Sequence, residues 1–192
     1  VTQHFSEAII SIDTNNANTA KLAIQAGAHI VNDISAGDDD ADMLATVGKL
    51  KVPYIAMHKK GTPQDMQKDP RYNDVLTEVV DYFLAKMEAF KSNGIVDVII
   101  DPGFGFGKTV AHNFNLLKHL KELERLVQQP ILVGVSRKAM INKVLHISAQ
   151  DALNGTTVLN SWALQNGAKI LRVHDVKEAK EAVNLYKAYN ES

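Results

Sequence analysis

Short β-branched runs alternate with longer stretches of helical periodicity along the whole chain. The runs cover residues 9–13, 29–33, 54–58, 98–101, 131–136 and 169–174, and each ends on a polar residue. Between them, apolar residues recur at helical spacing over residues 19–25, 41–49, 74–92, 113–126, 151–165 and 177–189. Gly27, Gly94 and Gly167 stand where helix C-termini are expected. Strand-like and helix-like segments in alternation predict βα units feeding a parallel sheet, and six units can be counted. The segment Gln25-Ala26-Gly27-Ala28-His29-Ile30-Val31 returns as Gln165-Asn166-Gly167-Ala168-Lys169-Ile170-Leu171, so one helix–glycine–strand junction is used twice. Residues 59–72 form the longest stretch without periodicity, a loop of the kind that is more often functional or mobile than a buried connection.

Two architectures are built from such units. A doubly wound sheet accepts six strands, whereas a (β/α)₈ barrel needs eight and about 250 residues. Periodicity does not choose between them. Both bind ligands at the C-terminal ends of the strands, where this sequence places Asp13, Asn32, His58, Asp101, Ser136, Arg172 and His174.

Composition narrows the function. At 192 residues and 45% hydrophobic content, the chain supports one sizeable core, so residues 1–192 are expected to form a single domain. Lys and Arg number 21 against 22 Asp and Glu, which lacks the basic excess of a nucleic-acid binder. No apolar run is long enough for a membrane span. The absence of cysteine excludes disulfides and thiolate chemistry and fits a cytoplasmic protein. The chain opens on Val1 rather than Met, which leads us to expect further sequence upstream.

The most distinctive segment is Asp101-Pro102-Gly103-Phe104-Gly105-Phe106-Gly107-Lys108, directly after an apolar strand. Its alternate glycines would let a planar ligand or a phosphate approach the backbone. The dinucleotide G-x-G-x-x-G spacing is absent, and Pro102 stands where a P-loop needs its first glycine. A strand-end carboxylate such as Asp101 is costly to bury unless it accepts hydrogen bonds, and adjacent N–H groups on a pterin- or guanine-like edge would satisfy it. Asn32 and Asp13 could complete recognition of the same heterocycle; for Asp13 alone, capping of the helix after Thr14 and Asn15 is the simpler reading. Arg172 and His174, two apart on one strand, form a candidate anion clamp, against which stands a surface salt bridge to Asp175 or Glu178. Ser136-Arg137-Lys138 lies at another strand-to-helix junction, where Lys138 could bind a ligand or form a Schiff base. The remaining histidines show no metal-ligand spacing. Trp162 and the stripe from Val158 to Leu164 read as helix core, and Asp38, Asp39 and Asp40 as a solvated, helix-capping loop.

Taken in order, Ser11-Ile12-Asp13-Thr14, Val31-Asn32-Asp33-Ile34, Met57-His58, Asp101 to Lys108, Val133 to Lys138 and Arg172-Val173-His174-Asp175 resemble dihydropteroate synthase over essentially the whole chain. The resemblance implies a TIM (β/α)₈ barrel of which this chain carries about six βα units, strands three to eight. It implies transfer of a dihydropterin from its diphosphate ester to p-aminobenzoate in folate biosynthesis. Asp13, Asn32 and Asp101 would bind the pterin, Met57, Phe106 and Gly134 would line its pocket, and Lys138 would lie beside it. Arg172 would stack on the ring, Arg172 and His174 would hold the diphosphate, and Ser136, Arg137 and Phe106 would border the p-aminobenzoate site. Asp101, Lys138, Arg172 and His174 are thus the implied catalytic set. Mg²⁺ would accompany the diphosphate, its Asn ligand lying in two further βα units expected upstream, so no metal ligand is expected from this chain, and from it alone weak pterin binding at best and no measurable turnover. A homodimer is implied too. The rival readings are a pterin-binding methyltransferase barrel, an inactive pterin-binding fragment, and a Schiff-base aldolase using Lys138.

Overall fold

The computed structural model describes residues 4–62 and 66–192, and among them lie six strands and eight helices, each strand followed by at least one helix. The chain gathers into two compact units, Val1–His58 with Asp81–Ile100, and Lys59–Val80 with Asp101–Ser192.

In the first unit, β1 (Ser11–Asp13), β2 (Ile30–Asp33), β3 (Tyr54–Met57) and β4 (Val98–Asp101) follow one another in a single sheet. The β1–β2 and β2–β3 pairs are parallel, with Asp13 opposite Asn32 and Asp33 opposite Ala56. Strands of a parallel sheet are covered on both faces, which is why all four residues of β3 are buried and why its sequence is apolar without alternation. Helices α1 (Ala17–Gln25) and α2 (Met43–Leu50) pack on each other. Val31, Tyr54, Phe83, Phe90 and Ile100 are fully buried, with the Tyr54 ring edge-on to Phe90 at 5.5 Å. Each such side chain contributes roughly 1.5–3 kcal/mol by leaving water.

The second unit holds the parallel pair β5 (Leu132–Val133) and β6 (Ile170–Leu171). Around it lie α4 (Val110–Lys118), α5 (Leu120–Val127), α6 (Ala139–Leu145), α7 (Leu153–Gln165) and α8 (Val176–Glu191). α7 lies along α8, and α4 touches α6 and α7. Phe104, Leu116, Leu120, Leu123 and Ile131 are fully buried in this unit. The remaining helix, α3 (Val75–Ser92), runs through the stretch where the chain passes from the second unit back to the first.

The repeated junction is one structure used once in each unit. Gly27 and Gly167 adopt φ of 100° and 99°, a backbone region that costs glycine nothing. Each donates its N–H to a carbonyl three residues back, at 3.0 and 3.1 Å. The next residue closes a longer turn, Ala28 to Ala23 and Ala168 to Ala163, both at 2.9 Å. The strand then begins as His29 and Ile30 donate to Ile10, and Lys169 and Ile170 to Ile131.

All six expected strands are present, and three sequence expectations change. Residues 113–126 form two helices rather than one, because His119 takes φ −104° and ψ 21° and serves as C-cap of α4 and N-cap of α5. α6 was expected only as a helix start after Lys138 and not among the periodic segments. Trp162 is 48% and Val158 39% exposed, since α7 turns Thr156, Leu159, Asn160, Ala163 and Leu164 inward and leaves the Val158–Trp162 stripe outside. The helix-capping expected of the Asp38–Asp40 loop is made by Asp40, which accepts from Ala17 N at the start of α1 at 2.8 Å and from Asp42 N at the start of α2 at 3.0 Å. In the loop of residues 59–72 there is no helix or strand among the described residues, and residues 63–65 lie outside them.

Candidate active site

In the first unit, the strand ends carry Asp13, Asn32, Met57 and His58. Asp13 is exposed and directly opposite Asn32 in the ladder, while Asn32 and Met57 are 7% and 3% exposed. The N-cap of α1 is Asn16, whose side chain accepts from Thr19 N at 2.9 Å. Thr14 Oγ1 accepts from Asn16 N. His58 is buried edge-on against Tyr82 at 4.9 Å and Phe83 at 6.4 Å, a packing position. The neighbour of Asn32 is Asp33, fully buried, whose carboxylate accepts from Ser35 N, Ser35 Oγ, Gly37 N and the Tyr54 hydroxyl at 2.7–2.8 Å. Burial first, then that carboxylate, pushes the Tyr54 hydroxyl above its ordinary range, so it remains a donor.

In the second unit, Asp101 ends β4 at 5% exposure and accepts from Gly103 N on Oδ1 at 2.7 Å. Burial raises its carboxyl pKa, and Lys138, the Gly103 N–H, Lys108 and Arg172 pull it down, in that order of strength. The loop that follows turns through positive φ at Gly103, Gly105 and Gly107. At Gly107 a Cβ would lie 2.1 Å from the Lys60 carbonyl oxygen, so nothing larger fits. Gly105 N donates to Asn113 Oδ1 at 2.8 Å, and its carbonyl accepts from Gln67.

The Ser136-Arg137-Lys138 junction meets this loop. Lys138 Nζ donates to the Phe104 carbonyl and lies 5.0 Å from the centre of the Phe106 ring. Burial depresses its pKa, Asp101 opposes that, and Arg172 adds to it. A Cβ on Gly134 would stand 3.8 Å from Arg172 Cβ and 3.9 Å from Lys138 Nζ, which places Gly134, Lys138 and Arg172 side by side. Ser136 is buried and its Oγ meets His174 N at 3.3 Å and His174 Nδ1 at 2.9 Å. Arg172 and His174 lie just past the end of β6, both exposed, with Arg172 N donating to Val133 O at 2.9 Å.

Arg137 sits differently from what the sequence suggested. It adopts φ 54°, a conformation uncommon for a non-glycine residue. Its Nε and Nη2 form a bidentate pair with Asp175 at 2.9 and 2.8 Å, and Nη1 donates to the carbonyls of Ala149 and Gln150. Its backbone N–H reaches Thr156 Oγ1 at 2.9 Å. The pair raises the Arg137 pKa and lowers that of Asp175. The salt bridge considered for Arg172 with Asp175 is therefore made by Arg137.

Asp101, Lys138, Gly134, Phe106, Ser136, Arg172 and His174 thus come together around one loop and two strand ends of the second unit; Asp13, Asn32 and Met57 are placed at strand ends of the first. Three residues escaped the sequence reading. Lys108 is 3% exposed and bonded to loop carbonyls, Asn113 holds Gly105, and Asp175 anchors Arg137. Lys108 had a signal in its place at the end of the glycine-rich segment and Asp175 in the salt bridge considered for Arg172, whereas Asn113 had none. Among the described residues, no group of three or more His, Asp or Glu side chains could hold a metal ion, and no helix is long and apolar enough to cross a membrane.

Comparison with known proteins gives one consistent result. Residues 1–174 match the family described as pterin binding enzyme. Dihydropteroate synthase of Escherichia coli K12 is 38% identical over 190 residues, an alignment covering 98% of this chain and 66% of that protein. That of Synechocystis is 42% identical over 171 residues, covering 88% of this chain and 59% of its own length. This chain therefore spans less than two thirds of these curated relatives. Among solved structures, Yersinia pestis dihydropteroate synthase in a sulfonamide drug complex superposes with a TM-score of 0.96 at 37% identity, covering 100% of this chain and 70% of that one. The Thermus thermophilus enzyme gives 0.89 at 34% identity, covering 94% and 72%. The fold is accordingly α/β, six βα units of a (β/α)₈ barrel.

Proposed function

The chain belongs to the pterin-binding enzyme family, and on that premise we propose that it serves the dihydropteroate synthase reaction, joining a 6-hydroxymethyl-dihydropterin diphosphate to p-aminobenzoate. The observation that carries this reading is Asp101, a buried carboxylate at a strand end facing a field of three cations. Such a group is expensive to bury for structure alone, and it fits the paired N–H donors of a pterin edge. Asp13 and Asn32 would take the remaining ring donors and acceptors, and Met57, Phe106 and Gly134 would line the ring.

The chemistry asked of these residues is positioning and charge stabilisation. The methylene C–O bond breaks, diphosphate leaves with the bonding pair, the arylamine nitrogen attacks the methylene carbon, and the nitrogen gives up one proton. Arg172 and His174 would hold the departing diphosphate, Arg172 also stacking on the ring, while Asp101 would stabilise positive charge spreading into the pterin. Lys138, already committed to the Phe104 carbonyl, acts as a binding group in this reading rather than as a nucleophile. Ser136 and Phe106 would border the p-aminobenzoate; Arg137, turned toward Asp175, would border it through its backbone and the side-chain stem. Mg²⁺ would arrive with the diphosphate and help offset its charge. We place the reaction in the cytoplasm and the protein in a homodimer, for which the exposed Val144, Leu145 and Trp162 around the groove beside Phe114 are the supporting surface.

Diphosphate release requiring both substrates is the activity expected of a chain that also carries the two upstream βα units, and there Arg172→Ala should lower kcat by about 10²-fold. Release indifferent to p-aminobenzoate, or full activity in the variant, would overturn the assignment.

A further inference from the structure

Lys108 has no part in the reaction described above, yet its ammonium is buried at 3% exposure. An ammonium is placed there at a cost that hydrogen bonds and opposite charge must offset. Its Nζ donates to the Gly103 carbonyl at 3.0 Å and to the Phe106 carbonyl at 3.1 Å, both in the turn that separates it from Asp101. Lys138 Nζ donates to the Phe104 carbonyl of the same turn. Three of the four carbonyls in residues 103–106 are therefore turned onto two ammonium groups, and the fourth residue, Gly105, is held through its N–H by Asn113. Gly103 in turn gives its own N–H to Asp101 Oδ1. A continuous chain of contacts thus runs from the Lys108 ammonium through Gly103 to the carboxylate.

We propose that Lys108 is a positioning residue for pterin binding: it clamps the Gly103–Phe106 turn beside Asp101 and supplies positive field that keeps the carboxylate ionised when a ligand covers it. This rests on the reading that Asp101 accepts the pterin N–H edge.

The charges around the clamp fix the direction of its effect. Facing Lys108 are Asp101 at the end of β4, Lys138 before α6 and Lys60 after β3, and His112 in the first turn of α4 also feels its charge. Burial brings the Lys108 pKa down to about 7, with Asp101 opposing and the two lysines adding to the depression. Lys108 is therefore charged on the acid side of neutrality. Removing that charge makes the Asp101 carboxylate harder to keep, so its protonation, and the loss of binding it causes, moves to higher pH.

The test is calorimetric titration of 6-hydroxymethylpterin into the wild-type chain, Lys108→Met, Lys108→Gln and Asp101→Asn, between about pH 4 and 7, with thermal melts as the folding control. Asp101→Asn should bind weakly and without the acid limb, which assigns the limb. Both Lys108 variants should shift the limb upward by about one pH unit. Lys108→Met should lose about tenfold in plateau affinity, and Lys108→Gln, which keeps N–H donors for the carbonyls, should lose less. Should Lys108→Met fail to fold, Lys108→Gln alone decides. A limb unmoved in the folded variants overturns the role of Lys108 and leaves pterin binding standing. A wild-type chain without pterin binding overturns the proposed function and the clamp with it.

Discussion

Asp33 at the end of β2 and Asp101 at the end of β4 are both strand-end carboxylates withdrawn from solvent, at 0% and 5% exposure, and they are supplied in opposite ways. Asp33 is met by four neutral donors, two backbone N–H groups and two hydroxyls. Asp101 has the Gly103 N–H and the fields of Lys138, Lys108 and Arg172. A set of short neutral hydrogen bonds uses up the lone pairs of a carboxylate and fixes the loop around it. Cations acting through their field stabilise the charge and leave oxygen lone pairs for a partner. The first carboxylate is thereby spent on shaping the turn beside Asn32, and the second is kept for a ligand. Burial alone does not distinguish them; the kind of neighbour does.

Substitution should separate the two. Asp33→Ala leaves four donors without their acceptor, and at about 1 kcal/mol or more for each it should destabilise the protein by about 4 kcal/mol in urea unfolding. The matching Asp101→Ala should cost no more than about 1 kcal/mol, because it also removes a desolvated charge; an equal loss at both sites would break the distinction. Tyr54→Phe removes one of the four donors from Asp33 and should cost about 1 kcal/mol, with the fold retained. A neutral result there would show that the remaining three donors and water suffice.

Most of this architecture could be read from the chain, for identifiable reasons. β-branched runs bounded by polar residues marked every strand, and the twice-used Gly27 and Gly167 junction marked where two of them begin. The strand-end rule found Asp101, Lys138 was found at its junction, and Arg172 with His174 stood out by their spacing. The junction at Lys138 pointed to the start of α6, but its extent was missed because seven residues are too few to establish a period. The break at His119 carries neither glycine nor proline to announce it. Trp162 was misread since two apolar stripes share α7 and only packing selects Leu159 and Ala163 for the inside. The burial of Lys108 and the engagement of Arg137 escaped for a common cause: their partners are set by tertiary placement, Asp175 lying 38 residues from Arg137 and the carbonyls on Lys108 depending on how the glycine turn folds back. Sequence pattern reports which residues reach the strand ends; it does not report which of them are already occupied.

Calorimetric titration of a pterin into the wild-type chain and Asp101→Asn, at one neutral pH and with matched melting temperatures, tests the central claim most directly. The substitution keeps the shape of the side chain and exchanges an anionic acceptor for a mixed donor and acceptor. Binding by the wild-type chain with a ten- to hundredfold loss in the variant is the expected result, the range that follows from about 1.5–3 kcal/mol for hydrogen bonds to a charged group. Equal affinity in the two proteins, both folded, would contradict the assignment of Asp101 and with it the account of this site.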